Sequence, residues 1–326
     1  MITCNLMGGL GNQLFQIFAT ISYAIEYNQS FKFINTTILK SGIIRNTFWN
    51  SLLYRLRLFL FDIYPSNNTT VIYKEPDFTY KKIPPLKQLL YQTKTNKNTN
   101  NQNIIENVIL NGYFQSELYF KGYFPTIYKL LDINTQTIQV VDKIQPYLKH
   151  PIHKYCSIHF RRGDYKTLPD HHPVLSFTYY KNAISYLVKN TKTETPIIHF
   201  LVFTDEKGED YKTLFQKLVG SEEETEETKD ASLTAYFYKN GINIEFHRVP
   251  NNIDIADWEE LLLMSMCGHN IICNSSFSWW GAYMNKHQFP SKQIIYPSKW
   301  FGSAMAHMDT TFLCPPEWKC ISCDCE

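Results

Sequence analysis

The chain has no excess of charge of either sign and no long apolar run. Lys plus Arg number 32 against 30 Asp plus Glu, a net charge of +2 over 326 residues. Such a balance offers no bulk attraction for nucleic acid or an anionic membrane, and neither is expected as a partner. A bilayer span needs about 20 consecutive apolar residues. The most apolar stretch, residues 52–64, is broken by Arg55, Arg57 and Asp62, so no membrane span is expected. A secretory leader would show a basic segment before an apolar run. Met1-Ile-Thr-Cys-Asn-Leu-Met leads straight into glycines instead, and the expectation is a cytoplasmic protein. Charged residues are 19%, too few for a disordered chain.

Apolar side chains, by contrast, are plentiful: 44% of residues, with 15% aromatic. A chain of roughly 300 residues can remove about 75% of its unfolded surface from water. At roughly 100–200 residues per domain, two domains are expected. The division is placed near 146–151, giving domains 1–150 and 151–310 with a cysteine-rich tail, 311–326. Four of the eight cysteines crowd that tail: Cys314, Cys320, Cys323 and Cys325. A cytosolic setting favours thiols. A metal site there stays open, although the two separated pairs of a zinc ribbon are missing. The composition says nothing of oligomeric state.

Hydrophobic periodicity organises the chain. Residues 1–7 read as a strand, 8–13 as a turn, and the apolar positions 14, 17, 18, 21 and 24 as a helix face. A second helix is expected over 50–63, and the polar stretch 92–102 reads as a loop. Strands are expected at 109–114, 155–160, 197–203 and 271–273, and helices at 177–189, 258–266 and from 274 to 280. The acidic run 221–230 reads as a solvated insertion. Alternating strands and helices make an α/β fold with parallel sheets. Ligands of open α/β sheets bind beyond the carboxyl ends of strands. Four polar clusters fall at such ends: 8–13, 159–164, 204–206 and 274–278.

Gly8-Gly9-Leu10-Gly11-Asn12-Gln13 lacks the Gly-Lys-Ser/Thr of a Walker loop, and Leu14 stands where a dinucleotide fingerprint has its last glycine. Its glycines still allow close backbone approach at a helix N-terminus, with Asn12 and Gln13 as donors; a plain tight turn is the alternative. In His159-Phe160-Arg161-Arg162-Gly163-Asp164-Tyr165, alternation sends the two arginines to opposite faces. One can grip a phosphate with its fork of donors while the other pairs with an internal carboxylate. In Cys273-Asn274-Ser275-Ser276-Phe277-Ser278-Trp279-Trp280-Gly281, the serines can cap a helix or hold a phosphate. Phe277 could stack on a base, and Trp279 and Trp280 read as core. Asp205 can read a guanine edge or cap a helix.

Taken in order and spacing, G-G-L-G-N-Q, H-x-R-R-G-D-Y and N-S-S-F-S-W-W-G-A resemble the α-1,2-fucosyltransferases, inverting enzymes of glycosyltransferase family 11. Residues 261–267 and Pro297-Ser298-Lys299-Trp300-Phe301 fit as well. The resemblance covers about 1–30 and 155–305; residues 31–150 match weakly.

The resemblance implies two Rossmann-like domains facing a cleft, the GT-B plan. It implies transfer of L-fucose from GDP-β-L-fucose to a galactose-like acceptor, with inversion and an α-1,2 linkage. GDP-fucose and a glycan acceptor are the implied partners, with no cofactor and no metal; the chain contains no Asp-x-Asp. Arg161 is expected on the β-phosphate, His159 near the nucleotide and Asp205 on guanine. Ser275, Ser276 and Phe277 would line the diphosphate, and Gly9, Asn12 and Gln13 would face fucose and acceptor. Asp164 is the favoured general base over Asp170 and His172, unless it holds an arginine in place. Two other readings stay open. One is transfer of another GDP-activated sugar or to another position. The other is a non-catalytic nucleotide-sugar or glycan-binding module, which the intact 159–164 and 274–278 clusters disfavour.

Overall fold

A computed structural model describes residues 1–40, 44–65, 69–91, 106–191, 197–220, 232–250, 252–285 and 292–323. The polar stretch 92–102, the acidic run 221–230 and Cys325 lie outside the described residues. The chain divides into two compact units, Met1–Gln136 with Met308–Pro315, and Thr137–His307 with Pro316–Glu326. Among the described residues no helix is long and apolar enough to cross a membrane.

The first unit runs β1 (Ile2–Cys4), α1 (Leu10–Glu26), β2 (Phe33–Ile34), β3 (Ile38–Leu39), β4 (Arg45–Asn46), β5 (Leu60–Phe61), β6 (Thr70–Lys74), α2 (Leu86–Tyr91), β7 (Asn107–Asn111), α3 (Phe124–Leu130) and into α4 (Ile133–Ile144). Three parallel strands form its main sheet in the order β1-β7-β6. Helix α1 is apolar on nearly every side and is buried accordingly. Phe18 meets Phe120 edge-on at 5.4 Å and stacks on Phe124 at 5.7 Å. Each such ring removed from water stabilises by about 1.5–3 kcal/mol. The buried amide of Gln16 accepts from the Met7 N–H (2.8 Å) and donates to its carbonyl (3.2 Å), which pins the β1–α1 turn.

The helix expected over 50–63 does not form as such. Only Tyr54–Phe59 is helical, as a 3₁₀ turn, and the chain then extends into β5 beside β2. Leu52, Leu53 and Leu56 are buried, whereas Leu58 and Ile63 stand in solvent. The apolar run is therefore split between two local structures and never presents one continuous face.

The second unit runs β8 (Tyr155–Phe160), α5 (Phe177–Asn190), β9 (Ile197–Thr204), α6 (Gly208–Val219), α7 (Leu233–Lys239), β10 (Asn243–His247), α8 (Asp257–Met266), β11 (His269–Ile271), α9 (Ser276–Tyr283), β12 (Ile294–Pro297) and β13 (Lys319–Ile321). These strands pair in parallel in the order β10-β9-β8-β11-β12-β13. Numbered within the unit, that is 3-2-1-4-5-6, the doubly wound order, whose direction reverses between β8 and β11. Every residue of β8 is buried, as a strand covered on both faces requires. Residues 319–321, within the stretch read as a tail, are the sixth strand.

Helix α9 packs tightly on α8. A Cβ at Gly281 would meet the Met264 Cβ at 2.7 Å. Trp279 and Trp280 are fully buried, as read from the sequence. The buried Asn270 amide donates to Ser157 Oγ (2.7 Å) and the Met264 carbonyl (2.9 Å), and its oxygen accepts from Asn285 (2.7 Å). One side chain thereby ties β8, α8 and the end of α9 together at the point where strand order reverses.

Candidate functional site

The carboxyl end of β8 delivers Arg161 and Arg162 to different partners. Arg161 Nη2 pairs with Asp164 Oδ1 at 2.8 Å and its Nε with Asp205 Oδ2 at 3.2 Å. Its guanidinium lies 5.5 Å from the centre of the Tyr165 ring. Burial opposes the charge, but Asp205 and Asp164 outweigh it and hold Arg161 protonated. Arg162 instead pairs with the buried Glu206 at 3.0 Å, which Lys166 also reaches at 2.6 Å. Arg162 is thus tied to a buried carboxylate and Arg161 to the carboxylates of the loop, while both side chains are about a quarter exposed.

Asp205 is the hub of this loop. Its Oδ1 accepts from the N–H groups of Arg162 (2.9 Å) and Gly163 (3.1 Å) while Oδ2 faces Arg161. It caps no helix, since α6 starts after Lys207. A Cβ on Gly163 would come within 2.6 Å of Asp205 Oδ2. Gly163→Ala is therefore expected to push the carboxylate off Arg161. The expected cost is about 1–3 kcal/mol of stability, by overpacking, and a large share of any turnover. Urea unfolding and rate measurement on one preparation check this; an unchanged midpoint with an unchanged rate refutes it.

The loop after β11 closes on the same place. Tyr165 Oη donates to the Asn274 carbonyl at 3.0 Å. Asn274 Nδ2 donates to the carbonyls of Pro173 (3.0 Å) and Trp300 (3.1 Å). Ser275 caps α9, its Oγ accepting from the Phe277 N–H at 3.3 Å. Ser276 and Phe277 are partly exposed at the first turn. His159, on β8, is buried 3.1 Å from Cys273 Sγ, and its ring centre lies 5.6 Å from that of Phe277. Arg161, His159, Asp164, Asp205, Ser275, Ser276 and Phe277 thus gather at the reversal of strand order. There a helix N-terminus and a guanidinium together favour an anion.

Burial, reinforced by Arg161 and opposed by Asp205, drives His159 down to about 3. Its imidazole is neutral at neutral pH. An unfolded histidine titrates near 6.5. Below that pH the unfolded chain takes a proton the folded His159 refuses. The associated stability is complete above 6.5 and lost as pH falls towards 3. His159→Gln is expected to shrink the stability lost between pH 6.5 and 5 by up to about 2 kcal/mol, read by denaturant titration at both pH values. An equally steep loss in the variant contradicts this.

Beside Asp205 opens a cavity of about 780 Å³ whose lining includes Thr204, Glu206, Lys207, Tyr211, Arg248 and Glu260. The Arg248 guanidinium lies 5.1 Å from the Tyr211 ring centre and 5.8 Å from that of Phe215. Burial, helped by Asp257, pushes Glu260 up to about 8, so it stays protonated at neutral pH. Sequence reading singled out 204–206 but overlooked Lys207, Tyr211, Arg248 and Glu260. Arg248 follows β10 directly, so the rule that selected 204–206 applies to it equally.

The other candidate bases sit differently. Asp170 accepts from Ser303 Oγ at 2.9 Å. His172 stacks on Tyr165 at 5.0 Å, and burial, with His171 beside it, keeps it below its usual range. Its Nδ1 is buried without a hydrogen-bond partner among the described residues.

Within the first unit, Gly8 adopts φ +75°, and a side chain there would strike Asn12. Gly9 is extended and faces open space. Asn12 is partly exposed, its Oδ1 accepting from Gln115 at 3.0 Å. Gln13 departs from expectation. It is fully buried and donates to the carbonyls of Gly8 (3.0 Å) and Asn46 (2.8 Å). The helix turn that leaves Asn12 at the surface carries the next residue inward, so the Gln13 amide N–H group braces the turn.

The profile of glycosyl transferase family 11 matches residues 236–318, which include the Asn274–Ala282 motif. The O-antigen biosynthesis glycosyltransferase WbnK of Escherichia coli is 31% identical over 194 residues, 58% of this chain and 54% of that protein. The match thus spans about half the length of WbnK. An alpha-1,2-colitosyltransferase of Escherichia coli is 25% identical over 336 residues, 98% of each chain. Among solved structures, a mutant of Arabidopsis thaliana FUT1 in complex with GDP matches with a TM-score of 0.40 and 12% identity, covering 90% of this chain and 70% of that one. The chain thus resembles glycosyl transferase family 11 over residues 236–318, and it is similar to a sugar-transferring relative along nearly its whole length.

Proposed function

We propose that the protein is an inverting, metal-independent transferase that moves L-fucose from GDP-β-L-fucose to a galactose-like hydroxyl, forming an α-1,2 linkage. The observation that carries this reading is Arg161, held between Asp164 and Asp205 at the reversal of strand order, beside the capped start of α9. As the fucosyl–oxygen bond breaks, negative charge grows on the diphosphate. A fixed guanidinium and helix-terminal N–H groups bind that charge better in the transition state than in the ground state. Ser275 and Ser276 lie along the same anion path, and the cavity lined by Tyr211, Arg248 and Glu260 takes the nucleoside. Asp205 is engaged on three sides by the arginine loop, so base reading falls more naturally to the cavity.

Inversion needs the acceptor hydroxyl to attack from the face opposite GDP and lose its proton. Asp164 is the partner of Arg161 and so acts first as a positioning group. His172, neutral and next to Tyr165, has the protonation state that a base requires. Both units serve as Rossmann-like halves of a GT-B plan. Residues 151–310 hold the donor, and 1–150, through Gly9 and Asn12, work on the acceptor side.

A second reading is transfer of a different GDP-activated sugar. It is favoured by end-to-end similarity to a protein named for colitose. Incubation with GDP-fucose, GDP-colitose or GDP-mannose and a panel of galactosides, with product linkage read by NMR, separates the two. Turnover with GDP-fucose into an α-1,2 product supports the first. Turnover with another donor alone overturns it, and donor binding with no turnover over a broad panel points to a binding module.

A further inference from the structure

The opposite end of the second sheet carries a cluster that sugar transfer does not use. Strands β9 and β10 run parallel with His199 opposite Glu245, and His247 follows two residues later on the same face. His199 Nδ1 and His247 Nε2 are 3.2 Å apart. Glu245 Oε2 lies 3.2 Å from His247 Nε2 and 3.5 Å from His199 Nδ1. The three atoms form a nearly equilateral triangle.

A tetrahedral zinc ion with ligands at about 2.0–2.1 Å has ligand-to-ligand edges of about 3.3–3.4 Å, so the triangle matches one face of that tetrahedron. Hydrogen bonding alone would account for any one of these edges, but it gives no reason for all three to lie within 0.3 Å of one another. Two imidazole nitrogens and one carboxylate, with the fourth corner open to water, is a donor set suited to zinc and neighbouring divalent transition ions. His150 stacks on His199 at 4.0 Å and 28° and fixes that ring.

We propose that His199, Glu245 and His247 bind one divalent transition cation of the zinc class, which fastens the outer strand β10 to β9. Both imidazoles then carry their proton on the remaining nitrogen, His199 Nε2 and His247 Nδ1. The ion is remote from Arg161 and Asp205, although His247 directly precedes Arg248 of the cavity. Tyr155 pairs with His199 and Phe160 with Thr204. Five residues of strand, about 17 Å, therefore separate His199 from the strand ends that carry Arg161 and Asp205, and His247 lies two residues nearer. Its effect is on stability, by preferential binding to the folded chain.

The test titrates untagged, metal-stripped full-length protein with Co²⁺ and then Zn²⁺. The expected result is one equivalent of cobalt showing the visible bands of a tetrahedral nitrogen–oxygen site, displaced by one equivalent of zinc. The strong near-ultraviolet thiolate band that Cys314, Cys320, Cys323 or Cys325 would produce should be absent. Zinc should raise the melting temperature by several degrees. Glu245→Gln, at a half-exposed position that tolerates the change, and the double variant His199→Gln/His247→Gln should lose both the bands and the shift. Either variant that folds by circular dichroism suffices. No stoichiometric binding, a thiolate spectrum, or binding unchanged in the folded variants overturns the proposal.

Discussion

Arg161→Ala is expected to lower turnover with GDP-fucose by about 10²–10³-fold, the effect of removing one preorganised donor from a developing oxyanion, or about 3–4 kcal/mol. The reasoning starts at the strand end. Arg161 leaves a fully buried strand, so its backbone is fixed, and two carboxylates at 2.8 and 3.2 Å fix its side chain. A guanidinium held in this way needs little reorganisation when the diphosphate gains charge. The loss should fall mainly on kcat, with weaker GDP binding by calorimetry and a melting temperature close to wild type. Arg161→Lys keeps the charge but cannot span both carboxylates while also meeting a phosphate, so a loss of about 10–100-fold is expected. Near-normal turnover in the alanine variant would refute the phosphate role.

Asp205 should give the second-largest effect, and two substitutions divide its roles. Asp205→Asn keeps an oxygen for the N–H groups of Arg162 and Gly163 but turns an amide N–H towards Arg161. The loop stays formed, the guanidinium loses one anchor, and turnover is expected to fall about 10–100-fold. Asp205→Ala also strips the acceptor from two partly buried N–H groups. A further cost of about 2–3 kcal/mol in stability is expected, because unpaired polar groups pay their full desolvation. The same pair tests whether Asp205 reads guanine. Guanine reading predicts a selective loss of affinity for GDP over ADP in both variants; anchoring predicts a fall in kcat with nucleotide preference intact. Competition binding with the two nucleotides decides.

Much of this site is legible in the sequence because each piece is local. A β-rich run ending in Arg-Arg-Gly-Asp, or a short apolar run ending in Asn-Ser-Ser, marks a strand end with polar groups on it whatever the rest of the chain does. Period-2 alternation even separated the tasks of Arg161 and Arg162. Where local pattern misled, long-range packing was the cause. Gln13 looked like a donor at a glycine turn, but a carbonyl 33 residues away, at Asn46, claims its amide. The run 50–63 looked helical by the spacing of its apolar residues, but β2 drew Leu60 and Phe61 into a strand pair.

Side-chain chemistry and period alone determined the α/β class, the β8 strand, the buried tryptophan pair and the clusters that carry the family resemblance. Only tertiary structure decided that Asp205 binds the arginine loop, that Gly163 must be small to admit it, that β13 completes the sheet, and that two histidines and a glutamate meet across β9 and β10. The physical reason is separation along the chain. A carboxylate more than 40 residues from its partner leaves no periodic trace, since strand order and register, and not spacing, bring them together.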